Sequence, residues 1–200
     1  MWHLKEPDVN PMSMVAENLF TKEECSAIIN IGHELGLVKD SGYFQHSSVA
    51  VGDTGVLGHK DLRKSSTVVI SDKDEQYYWL WQKCTDMIYN FNKMFGYDLT
   101  YIESLQISCY DDSKDYYDKH HDVLFKSFQT RKLTFSIQLS ESTDYTGGDL
   151  ELYHEREPLQ MSRKIGTANC FPSFVPHGVT PVTSGKRYCL LGWVCGPKFK

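Results

Sequence analysis

The stretch Tyr117-Asp118-Lys119-His120-His121-Asp122, taken with His177 and Arg187 far downstream, holds the residue types best suited to chemistry in this chain. On an extended strand, residues i and i+2 face one side, about 6 to 7 Å apart at ~3.3 Å rise per residue. His120 and Asp122 therefore look the same way, and His121 looks the other. An imidazole and a carboxylate converging from one strand can fill two adjacent corners of a metal's coordination sphere. Two histidines and one carboxylate leave the remaining corners open to reactants, a donor set that suits divalent iron. His177 is the candidate third ligand, and His121 is the weaker alternative because a regular strand turns it away. On its own a His-x-Asp is more often a surface charge pair, so the weight rests on the downstream partners.

His177 follows Pro176 at the end of an expected strand, and Arg187 opens another strand ten residues on, beyond a Thr-Pro-Val-Thr-Ser-Gly turn. If the two segments pair side by side, His177 reaches the metal while the guanidinium sits deeper. A short dicarboxylate spans that separation: its 1-carboxylate and keto oxygen chelate the metal, and its far carboxylate meets Arg187 in a two-bonded fork.

The elements that must position these groups follow from pattern. Residues 1–14 have two prolines and no periodicity, and are read as an arm or short edge strand. Thr21 and Glu24 form a capping box, so a helix is expected with Cys25, Ile28, Ile29, Gly32 and Leu35 on its apolar face, stopped at Gly36. Gly42 to Ser66 reads as a long loop or irregular hairpin, with Tyr43 and Arg63 as candidates to close over a substrate. Thr67–Ile70 is an expected short strand. A second helix should run to Gly96 with a core-facing stripe that includes Tyr77, Leu80, Trp81, Cys84, Phe91, Met94 and Phe95. Strands follow at Leu105–Tyr110 and Lys132–Leu139. In the latter, Leu133, Phe135, Ile137 and Leu139 face a core, and Thr134, Ser136 and Gln138 are free to line a cavity. Tyr145-Thr146-Gly147-Gly148 reads as a turn, and Asp149–Tyr153, Thr167–Phe171, Phe174–His177 and Arg187–Val194 read as strands. Two helices followed by many short strands predict an α+β domain whose β part is a two-sheet roll.

Two hundred residues suit a single domain, with 1–100 as helical support and loop region and 101–200 as the β core. Twenty-one Lys and Arg against 26 Asp and Glu, a net charge of −5, argue against nucleic acid or an anionic membrane as partner. Six scattered cysteines with no Cys-x-x-Cys are read as reduced, mostly buried thiols. No apolar run approaches the ~20 residues that span a bilayer, and a cytoplasmic location is expected.

Cys109-Tyr110, Tyr117-x-x-His120-x-Asp122, Arg131-Lys132-Leu133-Thr134, Gly147-Gly148-Asp149-Leu150, Phe171-Pro172-Ser173, the run His177 to Arg187, and Trp193 together resemble the Fe(II)- and 2-oxoglutarate-dependent dioxygenases, in their prolyl 4-hydroxylase-like branch, over roughly Leu105 to Pro197. The resemblance implies a double-stranded β-helix (jelly-roll, cupin-like) core with N-terminal helices packed on one sheet. It implies that His120, Asp122 and His177 bind Fe(II), that Arg187 binds the 5-carboxylate of 2-oxoglutarate, and that Tyr110 and Trp193 lie at the cosubstrate pocket. Gln138 stands where some relatives place a second tyrosine, which leaves Thr134 as a substitute partner for the far carboxylate. The implied reaction consumes O2 and 2-oxoglutarate, releases succinate and CO2, and hydroxylates a prolyl or other side chain of a protein or peptide, with ascorbate as a possible reductant. The alternatives are a small-molecule substrate such as a free amino acid, a non-catalytic cupin-like module holding zinc, and a metallohydrolase. The last has no use for a buried Arg187. His33, His46, His59 and the His154-Glu155 pair lack a usable third ligand and are expected to be solvated.

Overall fold

The computed structural model of the chain describes residues 11–40, 62–111, 114–123 and 129–198. In chain order these form β1 (Met14–Ala16), α1 (Lys22–Glu34), β2 (Val38–Asp40), β3 (Arg63–Ile70), a 3-10 turn (Glu75–Tyr77) leading into α2 (Tyr78–Phe95), β4 (Tyr101–Asp111), β5 (Tyr116–His120) and β6 (Gln129–Gln138). Six strands complete the chain: β7 (Tyr145–Gly147), β8 (Leu150–Leu152), β9 (Leu159–Gln160), β10 (Ala168–Pro172), β11 (His177–Val179) and β12 (Val182–Pro197).

Both helices begin and end where local chemistry requires. Thr21 accepts from the Glu24 N–H while the Glu24 carboxylate accepts from the Thr21 N–H, and α2 stops at Gly96 in the left-handed region. The helices cover one face of a large antiparallel sheet ordered β1-β10-β6-β12-β4-β3, with β2 added on β3. Cys25, Ile28, Leu80, Cys84 and Phe91 meet Ile107, Leu133, Phe135, Ile137, Leu190 and Val194 in one core. A smaller sheet, β5-β11-β8-β9, faces the other side of the large one.

Two long strands change partners and so close the pair of sheets into a roll. Arg63 and Lys64 of β3 pair with β5, whereas Ser66–Ile70 pair with β4. Val182–Gly185 of β12 pair with β7, and the rest of that strand runs between β4 and β6. Period-2 alternation then sorts side chains between two interiors. Along β6, Leu133, Phe135 and Ile137 go to the helices while Thr134 and Ser136 turn into the roll. Along β12, Leu190 and Val194 go to the helices while Arg187, Cys189, Leu191 and Trp193 turn inward.

The structure corrects several expected boundaries. β3 begins at Arg63, so the last four residues of the expected loop are strand; residues 41–61, which include Tyr43, His46 and His59, lie outside the described residues. Residues 145–147 are a strand, stabilised by pairing with β12 rather than by local sequence. Phe174 lies in a turn closed by Val175 N–H donating to the Pro172 carbonyl, so β11 begins at His177 where the pattern placed a strand's end. Leu35 and Met94 are exposed although both fit the helical stripes. All six cysteines are buried and free.

Gly192 lies against the Phe135 ring, where a Cβ would collide with ring carbons. Gly192→Ala should overpack this core by ~1 to 3 kcal/mol, which for a chain of this size lowers the melting temperature by about 2 to 10 °C. A calorimetric scan matching the wild type would show that the ring moves aside freely.

Candidate metal and carboxylate site

His120 and His177 are direct cross-strand partners of β5 and β11, so their side chains stand side by side on one face. Their ring centroids are 4.3 Å apart. β5 ends at His120, so Asp122 is not on the strand, as the i, i+2 argument assumed. Its backbone N–H instead donates to the Ser173 carbonyl at 2.9 Å, and this contact swings the carboxylate under the two rings. Asp122 Oδ1 lies 3.6 Å from His120 Nε2, and Oδ2 lies 3.3 Å from His177 Nε2. The ligand atoms of the three residues fall within 4.8 Å of one another, the one such grouping of His, Cys, Asp and Glu among the described residues. His121 is exposed.

Each ring is fixed from behind. His120 Nδ1 lies 2.7 Å from the Asp118 carbonyl, and His177 Nδ1 lies 3.0 Å from that of Val175. A carbonyl only accepts, so both Nδ1 atoms carry a proton, and each ring turns its Nε2 toward Asp122 as the atom free to bind a metal once deprotonated. Tyr117 stacks on His120 at 3.6 Å between centroids, and Phe171 meets His177 edge-on at 4.7 Å. The Thr134 hydroxyl donates to Asp122 Oδ2 at 2.8 Å and is shared with the Ser173 hydroxyl at 3.0 Å. Thr134, offered by the sequence as a companion of Arg187, is therefore spent on Asp122.

Arg187 reaches the same interior from the opposite sheet, on β12 rather than on a strand paired with β11. It is 3% exposed, and among the described residues no carboxylate lies within ion-pair distance. Its Nη1 donates to Cys189 Sγ at 3.6 Å, and its guanidinium carbon stands 5.5 Å from the centre of the Tyr110 ring. The triad, Arg187, Tyr110, Thr134 and Trp193 all line one cavity. Leu150, Phe171, Val179 and Leu191 make its apolar wall. The free space is about 30 Å³, room for about two waters. A roomier cleft of about 400 Å³ lies outside the roll, beside the Lys22–Glu141 ion pair, and holds no metal-ligating set.

Burial favours neutral groups, and neighbouring charges decide where it loses. His120 is lowered, chiefly by burial. Burial would lower His177 as well, but the charge and hydrogen bond of Asp122 outweigh it and leave His177 raised. Burial pulls Asp122 upward, yet the two imidazoles hold it well below the usual carboxylate range. Burial likewise opposes the Arg187 charge, and the facing Cys189, Tyr145 and Tyr110 groups more than restore it. Tyr110 is pushed up by burial and stays a neutral phenol.

Sequence reasoning missed Ser173, Cys189 and Tyr145. Ser173 was visible only as part of a Phe-Pro-Ser motif, and Cys189 by its i+2 spacing from Arg187. Tyr145 carried no signal, because its contacts are made across strands. His154, expected to be solvated, has a side chain only 13% exposed and sits 3.8 Å from Glu155. Exposed His33 meets the Tyr188 hydroxyl at 3.3 Å.

Comparison with known proteins gives concordant matches. Residues 105–195 match the model of the 2OG-Fe(II) oxygenase superfamily. A PKHD-type hydroxylase of Synechococcus sp. (strain CC9311) is 37% identical over 78 residues, 39% of this chain and 36% of that protein. The matched stretch thus spans little more than a third of this relative's length. A Pseudomonas putida prolyl-4-hydroxylase superposes with a TM-score of 0.70 at 15% identity, covering 94% of each chain. A Trichoplax adhaerens prolyl hydroxylase, solved in complex with a hypoxia inducible factor oxygen degradation domain peptide fragment, gives 0.68 at 19% identity, covering 93% of this chain and 84% of that one. At these identities the two structures establish a shared fold, the jelly-roll of antiparallel strands backed by helices.

Thr134→Val keeps the shape of the side chain but leaves the buried Asp122 carboxylate short of a donor. Urea unfolding of the metal-free protein should show a loss of ~1.5 to 3 kcal/mol, the worth of a hydrogen bond to a charged group. An unchanged midpoint would mean that the two imidazoles alone satisfy the carboxylate.

Proposed function

Because residues 105–195 match the model of the 2OG-Fe(II) oxygenase superfamily, we propose that this protein is an Fe(II)- and 2-oxoglutarate-dependent oxygenase. It hydroxylates a prolyl or other side chain of a protein or peptide and releases succinate and CO2. The observation that carries the reading is one cavity with two chemically distinct ends: a His-Asp-His cluster, and a buried guanidinium with no acid partner among the described residues. A metal and a dicarboxylate together would satisfy both.

The donor set fits divalent iron. Two Nε2 atoms converge on the carboxylate, and the other nitrogen of each ring and the carboxylate are fixed by hydrogen bonds of the protein's own. His120, Asp122 and His177 would hold the ion, with Asp122 supplying the negative charge and the two imidazoles the nitrogen donors. When bound, iron supplies the activation of O2 coupled to decarboxylation of 2-oxoglutarate. Arg187 receives the far carboxylate in a bidentate fork and so sets the direction in which the cosubstrate lies. Tyr110, still protonated, donates beside it. Leu150, Phe171, Val179, Leu191 and Trp193 keep water from the reacting atoms.

Two observations support a macromolecular substrate: the likeness to a fold mate solved with a peptide, and Phe174, 45% exposed on the turn between Ser173 and the His177 strand. Ascorbate keeps the iron divalent in this scheme. Six free thiols suit a reducing compartment, and we assign the protein to the cytoplasm on that basis. No helix among the described residues is long and apolar enough to cross a membrane.

The test is succinate formation from 2-oxoglutarate with added Fe(II), measured with and without candidate peptides. Turnover should appear with iron, vanish with a chelator and fail to return with zinc. Iron-independent or absent turnover in a folded, iron-loaded protein would favour a metal-binding module without catalysis. Arg187→Ala removes one member of a buried charge pair, a loss of ~2 to 5 kcal/mol, and should nearly abolish turnover at low cosubstrate. Normal turnover there would remove Arg187 from the site.

A further inference from the structure

We propose that Tyr145 is the second donor to the far carboxylate of the cosubstrate, its phenol oxygen fixed by Gln138 and its proton given to the anion in the Arg187 fork. The inference rests on reading the cavity as a 2-oxoglutarate pocket.

The hydrogen-bond directions follow from atom types. Gln138 is 2% exposed, and its Nε2 lies 3.3 Å from the Ser140 carbonyl and 3.1 Å from the Tyr145 hydroxyl. A carbonyl only accepts, so the Ser140 contact fixes the amide orientation and makes Gln138 a donor to the phenol. Arg187, whose side chain packs beside the same ring across Gly148, has no acceptor atoms either. A phenol has one proton to give, and neither of these neighbours can take it. Tyr145 is 4% exposed, and among the described residues no acceptor faces its O–H. A buried donor beside an unneutralised guanidinium calls for an anion that accepts from both.

The backbone is shaped for this meeting. Gly185 of β12 pairs with Tyr145 of β7, two residues before Arg187. Gly148, at φ +65°, lies between the two side chains: a Cβ there would come within 3.1 Å of Arg187 Cδ and 3.3 Å of Tyr145 Cδ2. The absence of that atom lets ring and guanidinium close on one point. The phenol is thus delivered from β7, and the residue on β6 orients it.

The experiment is calorimetric titration of the Mn(II)-loaded full chain with 2-oxoglutarate and with 2-oxopentanoate, which has a methyl group in place of the far carboxylate. Tyr145→Phe should bind 2-oxoglutarate about ten- to a hundredfold more weakly, the worth of one hydrogen bond to a charged group, with affinities for Mn(II) and 2-oxopentanoate kept within about twofold. Unchanged 2-oxoglutarate affinity overturns the proposal, as does an equal loss for both keto acids, which marks a collapsed pocket. Should Tyr145→Phe fail to fold, Gln138→Leu frees the phenol without removing it, and a selective loss of a few-fold is expected; an equal loss for both acids, or none, overturns the proposal. A wild-type protein that binds both acids alike, or an Arg187→Met variant that keeps the preference, overturns the reading of the pocket itself.

Discussion

The register between β5 and β11 is the constraint on which the site depends. With His120 directly opposite His177, two imidazoles share one face without any long side chain having to reach. A slip of one residue on either strand would send a ring to the other face, because side chains alternate with period two. The register is held by ordinary means. β11 is only three residues long, but it is bonded on one side to β5 and on the other to β8, and the carbonyls of Asp118 on β5 and of Val175 in the turn before β11 fix the rings from behind. Asp122 then needs one further contact, with the Ser173 backbone, to enter the cluster.

Arg187 is under a different constraint. It belongs to the large sheet, and the closing of the roll brings it to the triad. A buried cation without a carboxylate is costly, and aromatic faces and a thiol satisfy it only in part. The cavity therefore has one end where an ionised Asp122 lies between two imidazoles, and another where a guanidinium has no carboxylate among the described residues.

Much of this was legible in the chain. The α1 capping box, the Gly96 stop and the alternation of β6 are local signals, read by rules that need only a few neighbouring residues. The cluster of His120, Asp122, His177 and Arg187 was legible because its residue types are poor choices for a buried interior unless they act together. What the sequence hid is non-local. Arg63–Ser66 look like loop, since their strand character comes from pairing with β4 and β5. Phe174 and Val175 look like strand, yet the Pro172 carbonyl closes a turn there. Asp122 was placed on the correct side for an incomplete reason, the strand ending two residues before it. The role of Thr134 depended on a carboxylate arriving from another segment, and Tyr145 on an amide across the sheet.

The central claim is that one cation and one dicarboxylate share this cavity. The most direct measurement is the visible absorption of the anaerobic, Fe(II)-loaded protein as 2-oxoglutarate is added. Chelation of the keto acid to iron held by His120, Asp122 and His177 should produce a charge-transfer band that saturates at one cosubstrate per chain and is missing in His177→Ala. A folded, iron-loaded wild-type protein that shows no band, or one that forms equally in His177→Ala, would contradict the account.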